Sequence, residues 1–125
     1  MKRILIIDDN EDFLEILYTR LAHEGYEVNS LPSGLEILEE ISQTRPDLVI
    51  TDILMPGITG AQVYEEIRRV CGPKLPIIIT SATRMKLKKG KDEHLEHCMK
   101  PVDFDKLLET VRRFLNLSEQ DKDKT

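Results

Sequence analysis

The apolar positions of the chain follow two periods that take turns from end to end. Arg3-Ile4-Leu5-Ile6-Ile7-Asp8 and Leu48-Val49-Ile50-Thr51-Asp52 are almost unbroken aliphatic runs. Runs of this kind predict strands covered on both faces, as in a parallel sheet. Residues 75–81 repeat the pattern, with Pro76 tolerated at the strand's beginning. Between them Phe13, Leu14, Leu17 and Leu21 recur at helical spacing over residues 11–24, and Gly25 supplies a left-handed stop. Residues 26–30 alternate apolar and polar, which puts a second strand at a sheet edge. Ser33-Gly34-Leu35-Glu36 has the form of a capping box, opening a helix with Leu35, Leu38 and Ile41 on its inner face before Pro46 ends it. A helix over residues 61–71 is closed by Gly72-Pro73. Asp103 can cap a last helix striped by Phe104, Leu107, Leu108, Val111 and Leu115. Residues 82–99 give the weakest signal: Arg84, Lys86, Lys88, Lys89 and Lys91 dominate the first half, and a fifth strand is confined to residues 95–99.

Five β/α units whose clearest strands are covered on both sides imply an α/β fold with helices on both faces of a parallel five-stranded sheet. Right-handed crossovers leave few topologies, and the flavodoxin-like doubly wound order 2-1-3-4-5 suits a weak second strand at one edge. Strands 1 and 3 are then neighbours at the switch point, and their C-terminal ends form the expected ligand crevice. The 125 residues make one domain, read as 1–117, with a polar tail or linker remnant over 118–125.

Composition narrows the class. With 40% hydrophobic and 33% charged residues the chain has material for one core and a solvated surface, which excludes disorder. No apolar run approaches the roughly 20 residues of a membrane span. The start passes straight into a strand with no cleavage site, so a cytoplasmic protein without membrane contact is expected. Cys71 and Cys98 lack CxxC spacing, so reduced thiols are expected. The net charge of −5 is uneven: residues 1–70 hold 6 basic against 14 acidic residues, and residues 71–125 hold 12 against 9. The basic run after Ser81 reads as a solvated face rather than as a nucleic-acid contact. His94, His97 and Cys98 lack a fourth partner for a zinc site.

The chemistry lies at the strand ends: Asp8-Asp9 after strand 1, Asp52 after strand 3, Thr80-Ser81 after strand 4, and Lys100-Pro101 after strand 5. Two unit charges about 4 Å apart repel by roughly 4 kcal/mol at an effective dielectric near 20, so three carboxylates in one crevice ask for a cation. Hard oxygen donors of this kind suit magnesium. Asp52, at the centre of the sheet between these carboxylates and the pair Ser81 and Lys100, is placed to attack a phosphoryl group and form an acyl phosphate. Lys100 and the Ser81 hydroxyl supply neutralising contacts to the phosphoryl oxygens. There is no GxxxxGK[ST] or GxGxxG motif to support nucleotide binding.

Asp8-Asp9, Asp52 followed by Met55-Pro56 and Gly60, Ser81-Ala82, and Lys100-Pro101, in that order, resemble the receiver domains of two-component response regulators over residues 2–116. The resemblance implies Asp52 as phosphoacceptor and a histidine kinase or histidine phosphotransfer protein as donor. It implies Mg²⁺ or Mn²⁺ held by Asp9, Asp52 and the Leu54 carbonyl, with Asp8 acting directly or through water. It further implies Lys100 as phosphate counter-charge, Ser81 as switch hydroxyl coupled to position 97, and a cis peptide before Pro101. Such a domain catalyses only its own phosphorylation and dephosphorylation. The resemblance implies that it acts on an output domain or protein target through the face made by the fourth helix, fifth strand and last helix, or by forming a homodimer.

Some positions depart from that pattern. His97 stands where Tyr or Phe is commoner, so the switch is expected to be weaker or sensitive to pH. The interval from Ser81 to Lys100 is short and Glu93-His94 replaces the usual Gly-Ala, so the fourth helix is expected to be short or irregular; Val102 in place of the common Phe is a milder change. Leu54 and Thr83 cannot orient an attacking water, which predicts slow loss of phosphate. Two other classes compete. A haloacid-dehalogenase-type phosphatase would carry its nucleophile on strand 1 in an Asp-x-Asp pattern, but Asn10 stands at the third position. A phosphorylation-independent interaction module would only inherit its acidic pocket, and the intact Asp9, Asp52, Ser81 and Lys100 speak against it.

Overall fold

The structure, a computed structural model, describes residues 1–34, 36–52, 54–55, 58–82 and 92–123, without the side chains of 54–55, 58–60 and 117–123. The sheet strands are β1 (Arg3–Ile7), β2 (Glu27–Leu31), β3 (Leu48–Asp52), β4 (Ile77–Ser81) and β5 (Leu95–Met99). They are parallel throughout, in the order β2-β1-β3-β4-β5. The described helices are α1 (Glu11–His23), α2 (Ile37–Thr44), α3 (Gly60–Cys71) and α4 (Phe104–Asp123). A two-residue antiparallel pair, Leu54–Met55 with Ile58–Thr59, stands apart from the sheet just after β3. The topology is the doubly wound one that the sequence predicts. The predicted fourth helix falls largely on residues 83–91, outside the described residues.

Burial follows from the order. β3 and β4 are buried at every position, whereas the edge strands β2 and β5 are only partly covered. Alternate side chains feed two cores. Ile4, Ile6, Ile50 and Ile78 meet α1 and α4 on one face, and Leu5, Ile7, Val49 and Ile79 meet α2 and α3 on the other. A buried aliphatic side chain contributes about 1.5–3 kcal/mol, so the two cores fix the height of each strand end.

Local signals hold at most boundaries. The Asn10 side chain caps α1 by accepting from the Phe13 N–H, and Gly25 and Gly72 both take positive φ past their helices. Asp103 Oδ1 accepts from the Asp105 and Lys106 amides at the start of α4. The helix starts later than the signal from Ser33 and Glu36 places it: α2 begins at Ile37, and its N-cap is Glu36, whose side chain makes no cap bond. Burial of Ile37 and Ile41 sets the phase of this short helix and outweighs the local capping signal. β4 begins at Ile77 rather than residue 75, because Pro76 has no N–H for the ladder and contributes only its carbonyl, to Val49. The backbone of α4 stays helical through Asp123.

The entry to β5 is fixed by a polar network. Arg68, on α3, pairs with Asp92 at 2.8 Å and donates to the carbonyls of Gly72, Leu75 and His94. The Tyr64 hydroxyl donates to the same Asp92 carboxylate, and the His94 amide donates to its other oxygen. Among the described residues no helix is long and apolar enough to cross a membrane.

Candidate functional site

Strand register brings the site together. Ile7 pairs with Thr51, so Asp8 lies level with Asp52, which pairs with Thr80, which pairs with Cys98. Asp8 is buried at 1% exposure and Asp52 at 7%, while Asp9 is exposed. Carboxylate oxygens of the three lie within 4.8 Å of one another, the one metal-compatible cluster among the described residues. Two buried carboxylates and one facing solvent make an all-oxygen donor set that fits a hard divalent ion.

Lys100 closes the cluster. Its Nζ lies 2.8 Å from Asp8 Oδ2 and 3.4 Å from Asp52 Oδ2. Its backbone amide donates to the Ser81 carbonyl at 2.7 Å, and the Lys100-Pro101 peptide is cis, as expected. The other Asp8 oxygen accepts from the Asn10 amide at 2.9 Å, so the residue that caps α1 also orients Asp8. Burial pushes the Asp8 carboxyl above its ordinary range, against the opposing pull of Lys100 and the Asn10 amide. For Lys100, burial is the largest single influence and favours the neutral amine. The bond to Asp8 and the charges of Asp8 and Asp52 together outweigh it and raise the ammonium's pKa. The lysine is therefore a firmly charged group beside the acids.

Ser81 ends β4 at 1% exposure, and its Oγ lies 3.2 Å from His97 Nε2 on the neighbouring strand. The sequence-predicted pair Ser81 and His97 is thus in direct contact. The backbone of Leu54 sits in the small antiparallel pair, opposite Thr59. Thr80 sits in the same row as Asp52, and its buried hydroxyl finds no hydrogen-bond partner among the described residues.

Phe13 belongs to this neighbourhood, and sequence reasoning assigned it only to the helix stripe. Lys100 Nζ lies 4.6 Å from its ring centroid, and the ring packs against Phe104 at 5.8 Å. The available signal was its place in the first turn of the helix that follows Asp8-Asp9.

A twisted parallel sheet carrying an acidic cluster and a charged lysine at its switch point defines an α/β domain of the chemotaxis-receiver kind. The chain belongs to the response regulator receiver domain family, whose pattern it matches over residues 4–112. It is 32% identical to the response regulator MprA of Mycobacterium sp. (strain KMS), over 96% of this chain and 53% of that protein. The chain therefore spans about half the length of the curated relatives it matches. Among solved structures it resembles a CheY-like receiver domain protein from Methanospirillum hungatei JF-1, with a TM-score of 0.85 and 29% identity over 97% of this chain and 98% of that one. It also resembles the Vibrio cholerae chemotaxis protein CheY4, with a TM-score of 0.80 and 28% identity over 91% and 98%. A third similar structure is the complex of histidine kinase ThkA with response regulator protein TrrA, with a TM-score of 0.78 and 37% identity over 92% and 99%.

Proposed function

We propose that Asp52 accepts a phosphoryl group from a phosphohistidine on a histidine kinase or a histidine phosphotransfer protein. A carboxylate oxygen of Asp52 forms the new bond to phosphorus, the N–P bond of the donor breaks, and the departing imidazole takes up a proton from solvent. The observation that carries this reading is the Lys100 ammonium set between Asp8 and Asp52 in a cluster of close carboxylate oxygens. Asp9, Asp52 and the Leu54 carbonyl, with Asp8 directly or through water, would hold Mg²⁺ or Mn²⁺. That ion supplies charge neutralisation for the phosphoryl oxygens when bound. Lys100 pairs with a phosphoryl oxygen and balances the roughly −1.5 to −2 charge units that replace the single carboxylate charge of Asp52 at neutral pH.

Ser81 is the switch. Its hydroxyl, now against His97 Nε2, turns to donate to a phosphoryl oxygen, and His97 repacks into the space released. The face formed by the segment before β5, β5 itself and α4 carries the change to an output domain, a protein target or a second copy. The domain acts in the cytoplasm as a regulator, without turnover on external phosphoesters.

Incubation with Mg²⁺ and acetyl phosphate, followed by intact-protein mass spectrometry, tests the reading. Wild type is expected to gain one phosphoryl group, and Asp52→Asn none. A wild type that stays unmodified, or a modified Asp52→Asn, overturns it.

A further inference from the structure

The Lys100 ammonium has three described neighbours, and two of them are the carboxylates whose charge state the proposed chemistry alters. Asp52 becomes an acyl phosphate, and Asp8 lies among the candidate metal ligands, so neither can hold the lysine in one place through the cycle. The third neighbour is uncharged. Phe13 presents its ring 4.6 Å from Nζ, within the roughly 6 Å over which an ammonium is drawn to an aromatic face. The ring is itself held. It packs tilted against Phe104 at the start of α4, and the Arg20 guanidinium lies 5.6 Å from the Phe104 ring while pairing with Asp105 at 3.5 Å. Two packed rings thus lie between the Lys100 ammonium and the Arg20 guanidinium at the junction of α1 with α4. Lys100 needs such a seat, because its side chain is 24% exposed and an unbranched four-carbon stem has many rotamers to lose.

We propose that Phe13 is a positioning residue, an aromatic seat that keeps the Lys100 ammonium aimed at the phosphoryl group while its carboxylate partners change charge. This rests on the reading of Lys100 as the phosphoryl counter-charge. The seat acts on the phosphoryl group through Lys100, which gives it a signature that a general packing role lacks.

The test uses the whole chain with Mg²⁺ and beryllofluoride, a phosphoryl mimic, in wild type, Phe13→Leu, Phe13→Tyr, Lys100→Ala and the Phe13→Leu/Lys100→Ala double variant. Loss of a partly desolvated cation–π contact is expected to weaken beryllofluoride binding about five- to tenfold in Phe13→Leu. Mg²⁺ affinity measured alone should stay at the wild-type value, and Phe13→Tyr, which keeps the ring, should stay within about twofold of wild type. In the Lys100→Ala background Phe13→Leu should add no further loss. Unchanged beryllofluoride binding in Phe13→Leu, a parallel loss of Mg²⁺ affinity, failure of Phe13→Tyr to rescue, or additive losses in the double variant each overturn the seat. A measurement that needs no variant completes the set: in wild type the ε-methylene protons of Lys100 should resonate upfield of free lysine through the ring current of Phe13. Their appearance at the free-lysine position also overturns the seat. This readout stands apart from phosphorylation. If wild type binds no beryllofluoride through Asp52 while the upfield shift is present, the functional reading fails and the seat does not.

Discussion

Arg68 spends its donors on one small region, and Asp92 is the charge that holds it there. Burial is the strongest influence on the Asp92 carboxyl and pushes its pKa up. The bonds from Arg68, Tyr64 and the His94 amide outweigh it, and the net pKa lies below the ordinary carboxylate value. A carboxyl depressed in the folded state adds stability above its unfolded pKa, near 4, and loses it as pH falls through the folded value. Asp92→Asn is therefore expected to lower the unfolding free energy by about 1–2 kcal/mol at pH 7. The gap between the two proteins should close as pH drops below about 4. Urea denaturation of both proteins at pH 7 and at acid pH checks this, and a gap that persists in acid contradicts it.

At the scale of elements, two bonds beyond the strand ladder join the ends of β4 and β5 among the described residues. One tie is the Lys100 amide to the Ser81 carbonyl, and the other is Ser81 Oγ to His97 Nε2. The first is backbone and survives substitution. The second must break if Ser81 is to reach a phosphoryl oxygen, so His97 stabilises the resting arrangement by about 1 kcal/mol, the net worth of a typical hydrogen bond. His97→Phe removes that hold, and beryllofluoride should bind it about fivefold more tightly than wild type. Unchanged or weaker binding means that His97 does not restrain the switch.

The same elements show what a sequence can reveal. β1, β3 and β4 were legible because a strand covered on both faces is aliphatic along most of its length, as in the run from Ile77 to Ile79, with polar residues gathered at its C-terminal end. Asp8, Asp9, Asp52 and Ser81 were legible because each stands at the end of such a run, and Lys100 because it forms the pair Lys100-Pro101 that the receiver pattern places after the last strand. The start of α2 was not, because Ser33 and Glu36 carry a local signal while the burial of Ile37 is a property of the whole sheet. The small pair after Asp52 is too short for any period. Phe13 against Lys100 and Arg68 against Asp92 join residues from different elements, where no local spacing can reveal them.

For the whole molecule, the acidic cluster is a stability term as well as a candidate site. Three carboxylates in a crevice repel one another in the fold and separate on unfolding, so an ion that binds only the folded form must stabilise it. At ten times its dissociation constant Mg²⁺ should add about 1.4 kcal/mol, which raises the melting temperature by a few degrees. Asp9→Asn should abolish the rise. A melting temperature that ignores Mg²⁺ in wild type, or responds equally in Asp9→Asn, contradicts the assignment of the ion to this cluster.

The strand that carries Asp52 is buried at all five positions and paired along both sides. Proteins open piecemeal, and partly covered edges such as β2 and β5 come away long before the centre does. The proposed phosphoacceptor is therefore bolted to the part of the chain with the slowest clock. Fraying at the margins can blur how a signal is read out, but the backbone that carries the mark is displaced only when the domain unfolds as a whole.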